Sequence, residues 1–189
     1  MTRYPLPPMR PLSLLQLNTG TGGASHEIAL ATAFLENIDI LLIQEPYISK
    51  DLNRRITKRH PAYNCYTPID NWVEYGQPRV MSYVRKGVGL CTTQVRPTTI
   101  DPAVLPDLLF LRIQSPSGQS LLIANVYNGN RSSSIRPGEA AEALTLLPPT
   151  FFSKPSFIAG DFNLLHTSWQ PSLQVSPTTF AEPFTAWLD

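Results

Sequence analysis

"LSLLQLNTGTGGASHEIALATAFLENIDILLIQEP", residues 12–46, contains two apolar runs separated by a stretch of different periodicity. The first, LSLLQLN (12–18), reads as a buried strand ending in Asn18; the second, IDILLIQEP (38–46), is a strand halted by Pro46. Between them TGTGGAS turns the chain. SHEIALATAFLEN (25–37) then places Ile28, Ala31 and Leu35 on one helical face, with Ser25 as N-cap. Strand, crossover helix and strand together imply a parallel pair, because parallel neighbours need a long connection.

Downstream, RVMSYVRKG, VGLCTTQVR, LLFLRIQ and LLIANVY are strand-like runs separated by turn residues, and QSPSGQS (114–120) reads as a hairpin. GEAAEALTLL (138–147) is a helix stopped by Pro148 and Pro149, and SFIAGDFN is the last strand. Consecutive antiparallel pairings after a parallel opening predict α/β architecture with sheets packed together and helices outside. There is no repeat and no linker long enough to divide 189 residues, so we expect residues 1–11 as an extended segment and 12–189 as one domain. The 19 prolines speak for loops and strand ends and against a helical bundle.

A net charge of +1 does not announce a nucleic-acid binder, but the charge is unevenly spread. Residues 1–90 carry ten Lys and Arg against seven Asp and Glu, and much of that excess sits in KDLNRRITKRH (50–60). Cys65 and Cys91, far apart and in no metal-like spacing, suit free thiols in a reducing compartment. We read no signal peptide in the proline-rich N-terminus and no run of membrane-spanning length, so a soluble intracellular protein is expected.

Asn18, Glu45, Asp161 and Asn163 each lie at or just past the C-terminal end of an apolar strand, the edge where α/β sheets tend to bind ligands. Two carboxylates converging there would form a hard-oxygen site suited to Mg²⁺ or Mn²⁺. Such a cation would polarise a phosphoryl oxygen while a neighbouring Asp positions or deprotonates a water. No Ser elbow or Cys–His signature competes for acyl transfer. Each residue also has a plainer reading: Glu45 as a polar strand end, GDFN as a turn, Trp169 as core, and 50–60 as a solvated loop. Tyr127, ending LLIANVY, is expected to be half-buried with its hydroxyl seeking a partner.

The ordered set LLQLN, ILLIQEPY, NVYN and IAGDFN resembles the endonuclease/exonuclease/phosphatase superfamily. QEPYI, RVMSYVRKG and GDFNLLHTSWQP look like the endonuclease domain of fungal non-LTR (LINE-like) retrotransposon polyproteins. The resemblance implies a four-layer α-β-β-α sandwich of two mixed sheets and nicking of DNA with Mg²⁺ or Mn²⁺. It also implies a reverse transcriptase domain as partner and action in the nucleus. Carried over by motif, Glu45 is the main metal ligand and Asn18 supports it. Tyr127 contacts the phosphate, Asp161 orients or activates the water, and Asn163 helps hold the phosphate. Arg54, Arg55, Lys58, Arg59 and His166 become candidate DNA contacts.

The chain departs from the family pattern at two places. Relatives often carry GDFNxHH, whereas here Leu165 takes the first histidine's place and only His166 remains. The family also ends in strands bearing an Asp and a Ser-Asp-His motif, and His26, His60 and His166 are the only histidines of this sequence. The resemblance therefore leads us to expect a C-terminally truncated domain that lacks the final strands, with an exposed sheet edge and impaired hydrolysis. The alternatives are an inactive remnant with weak nucleic-acid binding, or a phosphatase acting on a small phosphoester.

Overall fold

The two apolar runs of the opening stretch form β1, Leu14–Asn18, and β2, Ile40–Gln44, joined by helix α1, Gly23–Leu35. They pair in parallel, with Leu14 beside Ile40 and Asn18 beside Gln44. This computed structural model describes residues 11–129, 139–152, 155–172 and 181–188, so most of the expected extended segment lies outside the described residues.

Tyr63–Tyr66 is β3, and a one-turn helix α2, Trp72–Tyr75, is capped by the Asn71 side chain. Val80–Arg85 is β4, antiparallel to both β2 and β3. β5, Cys91–Val95, β6, Leu108–Gln114, and β7, Ser120–Tyr127, form an antiparallel run, with the expected hairpin between the last two. Helix α3, Glu139–Thr145, precedes β8, Ser156–Asp161, which returns parallel to β7 with Asp161 beside Tyr127; α4 is Ala181–Leu188. The strand orders are β1-β2-β4-β3 and β5-β6-β7-β8.

Side-chain alternation along the strands generates the layers. Ile40 and Leu42 of β2 meet Leu109, Leu111 and Ile113 of β6 and Ile123 of β7 between the sheets. Leu41 and Ile43 face the other way, against Ala29, Leu30 and Ala33 of α1. On the far side, Phe110, Leu122, Ala124 and Val126 are covered by Ala141 and Leu144 of α3 and Phe184 of α4. The result is a four-layer α-β-β-α sandwich of two mixed sheets. β1 and β8 close their respective sheets among the described residues, and Phe157 on β8 is exposed.

The face of α1 differs from the sequence reading. Ile28 and Leu35 are 66% and 73% exposed, while His26, Ala29, Leu30 and Ala33 are buried. Alanines bring the helix close to the sheet, and His26 can be buried because both ring nitrogens have partners. Its Nδ1 accepts from the Tyr47 N–H at 3.1 Å, leaving Nε2 to donate to the Tyr83 hydroxyl at 2.8 Å. Tyr83 in turn donates to the Lys58 carbonyl at 2.7 Å. Nor does Ser25 cap the helix: Gly22 is the N-cap, with no side-chain bond, and Ser25 lies inside the first turn. Among the described residues no helix is long and apolar enough to cross a membrane.

Candidate active site

The two parallel registers bring the predicted residues to one edge. β1 and β2 end level, so Asn18 lies beside Gln44 and the chain passes directly into Glu45. β7 and β8 also end level, at Tyr127 and Asp161. Stacking the two sheets joins these pairs: Asn18 Nδ2 donates to Asp161 Oδ2 at 2.8 Å, and the Tyr127 hydroxyl donates to Glu45 Oε1 at 3.0 Å. Asn18 Oδ1 accepts from the Gly20 N–H at 2.8 Å, which fixes the amide's orientation.

Glu45 sits at φ 47°, a left-handed conformation that is uncommon outside glycine. The surroundings hold it there: its N–H donates to the Arg79 carbonyl at 2.8 Å, and its carbonyl accepts from Thr21 N and Thr19 Oγ1, each at 2.7 Å. Arg79 Nη2 pairs with Glu45 Oε1 at 2.7 Å, and its guanidinium stacks 4.1 Å from the centre of the Tyr127 ring. Burial pushes the Glu45 carboxyl upward, but hydrogen bonds from Arg79, Tyr127 and Asn18 outweigh it and hold the group below its ordinary value. Burial raises the Tyr127 phenol to about 12, Arg79 opposing and the Glu45 hydrogen bond adding to the rise. Tyr127 is therefore a protonated donor at neutral pH.

Asn163, also left-handed at φ 48°, donates its side-chain amide to the Asn128 carbonyl at 2.8 Å, and its N–H reaches Asp161 Oδ1 at 3.3 Å. Asn128 is buried and ties this turn to α3, its Oδ1 accepting from Ala141 N at 3.1 Å. Gly160 is required for the approach of β8 to β7, since a Cβ there would lie 1.9 Å from the Val126 carbonyl oxygen. An apolar cavity of about 410 Å³ opens beside Asn163, lined by Ile158, Phe162, Leu164, Trp169 and Phe184 among others.

Beneath the edge, three polar residues are fully buried between the sheets. Gln44 Nε2 donates to Asn125 Oδ1 at 2.6 Å; Asn125 Nδ2 donates to the Met81 carbonyl at 2.8 Å and approaches Ser82 Oγ at 3.3 Å. Sequence reasoning passed over Gln44, Asn125, Asn128 and Arg79. Their signal is a polar residue at an inward strand position, or one just before a strand antiparallel to β2.

Most of the basic stretch is engaged within the protein. Arg54 pairs with Asp51, Arg55 donates to the Ile69 and Asp70 carbonyls, and Lys58 pairs with Glu27 at 2.6 Å beside the Tyr47 ring. Arg59 lines a groove with His60, Tyr63 and Lys86. His166 stands apart from the strand-end cluster. It is buried, with Nδ1 accepting from Ser168 N and Nε2 3.2 Å from Glu182, so both ring nitrogens meet protein partners.

No family model matches the chain, and no curated protein matches it. Solved structures do. The endonuclease domain of TRAS1, a telomere-specific non-LTR retrotransposon, superposes with a TM-score of 0.66 at 15% identity, over 94% of this chain and 69% of that one. The Xenopus laevis APE2 catalytic domain gives 0.58 at 16% identity, over 93% and 66%, and an AP endonuclease from Archaeoglobus fulgidus 0.56 at 14%, over 94% and 69%. This chain thus spans about two-thirds of each of these structures. The fold of this chain is shared with these solved structures.

Proposed function

We propose that this chain hydrolyses phosphodiester bonds with a divalent cation, as a DNA-nicking domain of a retrotransposon-type protein. The observation that carries this is the strand-end edge itself, where Asn18 donates to Asp161 and Tyr127 to Glu45, so that carboxylates from the two sheets meet at one place. The likeness in fold to structures titled as endonucleases supports it.

The donor set suits Mg²⁺ or Mn²⁺. Mg²⁺ takes one or two carboxylates and fills its remaining positions with waters and substrate phosphate oxygens. Glu45 provides hard oxygens of that kind, whereas Asn18 would join it as a ligand only with its amide turned over, since Nδ2 faces Asp161 and Oδ1 accepts from the Gly20 N–H. Among the described residues no three His, Cys, Asp or Glu side chains gather into a fuller cage. When bound, the cation would polarise a phosphoryl oxygen and steady the leaving one. Asp161 orients a water and takes its proton as the water oxygen attacks phosphorus. Tyr127, whose one hydroxyl proton is held by Glu45, would turn it to a phosphate oxygen, and Asn163 holds the turn that presents Asp161. The basic stretch 50–60, which follows Glu45, brings Arg54 and Arg59 to the DNA backbone. A reverse transcriptase domain as partner and action in the nucleus belong to the same reading.

The test is nicking of supercoiled plasmid by the folded chain with Mg²⁺ or Mn²⁺, beside Asp161→Ala. The substitution is expected to cost on the order of 10²–10⁴-fold in rate. Equal rates from both proteins would refute the assignment.

One observation favours a second reading, in which the chain binds DNA without cutting it. Among the described residues none of the three histidines lies in the cluster: His26 is committed to Tyr47 and Tyr83, His60 packs on Phe34 and Tyr63, and His166 contacts Glu182. The leaving oxygen thus has no described imidazole to protonate it. Salt-sensitive DNA binding with no nicking at any cation concentration decides for this reading.

A further inference from the structure

Arg79 has no place in the reading above, yet it is the most tightly placed charge at the edge. Its N–H donates to the Pro106 carbonyl at 2.8 Å and its carbonyl accepts from Glu45 N at 2.8 Å, so the backbone is clamped on both sides. The guanidinium pairs with the Glu45 oxygen that also accepts from Tyr127, and it lies against the Tyr127 ring. Its Nε is buried with no hydrogen-bond partner among the described residues. A planar cation that is about a third exposed and stacked on the tyrosine proposed to touch phosphate has N–H groups to offer a phosphate oxygen, its buried Nε becoming available once the side chain turns.

The charges lead to the same place. Glu45 and Asp161 put two negative charges at the edge, and Arg79 neutralises one by occupying Oε1. A divalent cation that takes the Glu45 carboxylate must displace that contact or share it. With a cation supplying the positive charge, the guanidinium would be free to turn toward a phosphate.

We propose that Arg79 is a phosphate-binding residue held in reserve by Glu45. It neutralises the carboxylate until a divalent cation arrives, and then turns to the phosphate of the nucleic acid. This rests on the reading of Glu45 as a cation ligand.

Three variants separate the possibilities. Mn²⁺ binding without DNA, followed by electron paramagnetic resonance, should tighten about fivefold in Arg79→Met, because the cation no longer competes with a partly exposed ion pair. In an Asp161→Ala background, which suppresses cleavage, the same change should weaken Mn²⁺-dependent binding of a short duplex. It should also lower the log–log salt slope by about 0.9, the share of one phosphate contact. Arg79→Lys retains the charge and should keep the parental slope while losing part of the affinity. Opposite movements of cation and DNA affinity are the signature, since a merely structural lesion would weaken both. Unchanged or weakened Mn²⁺ binding in Arg79→Met overturns the role of Arg79. Glu45→Gln should abolish the Mn²⁺ signal. If it does so while Arg79→Met has no effect, Arg79 alone is misassigned; if Glu45→Gln binds Mn²⁺ like the parent, both readings fall.

Discussion

Glu45 and Asp161 end two parallel strand pairs built to the same plan, yet the two carboxylates are held differently. Glu45 follows β2, whose five residues are all buried, and its carboxylate accepts from Arg79 and Tyr127. Asp161 ends β8, a half-exposed strand at the side of its sheet, and it is held by Asn18 and the backbone N–H of Asn163. The better-held carboxylate follows the more deeply buried strand. That difference fits a division of labour in which one group anchors charge and the other handles water.

The comparison is broken most severely at Gly160. Gly160→Ala drives a Cβ into the Val126 carbonyl and should displace β8 with Asp161, costing more than about 3 kcal/mol in urea unfolding. A smaller cost would show that β8 yields more easily than its close approach to β7 implies. On the other pair, acid should release the loop that follows Glu45. Burial, helped by Lys58 and opposed by Glu27, lowers His26 from 6.5 to about 4, so the folded protein keeps it neutral. The unfolded chain binds the additional proton between those values. This contribution is therefore complete above about pH 6.5 and falls as the pH drops, by about 3 kcal/mol at pH 4. His26→Gln should flatten that window in a pH series of unfolding curves; an unchanged slope would remove His26 from the account. The link between the pairs is the smallest test. Asn125→Ala leaves Gln44 without its buried partner and should cost about 1–3 kcal/mol, measured by thermal unfolding.

Much of this architecture was legible because most of the strands are apolar runs of ordinary length. β3, with sequence YNCY, was not, since it mixes aromatic and polar residues. α4 lacked a clear signal too, with Pro183 in its first turn. The buried face of α1 was misread because alanine contributes little to a hydropathy pattern and histidine counts against burial. The meeting of Asn18, Glu45, Tyr127 and Asp161 at one edge could be anticipated because each ends or directly follows an apolar strand. Arg79 could not: it precedes β4, and only the antiparallel pairing of β4 with β2 carries it to the edge where β2 ends. Gln44 and Asn125 look like interruptions of a core until both strands are seen to place them face to face.

In the proposed function the two carboxylates act as one site. The direct measurement is the plasmid-nicking rate of Glu45→Gln, Asp161→Ala and the double variant, each confirmed folded by circular dichroism. Groups acting as a unit are strongly non-additive, so the double variant should lose little more than the worse single one. Losses that multiply, or singles that nick like the parent, would mean that Glu45 and Asp161 do not share one reaction.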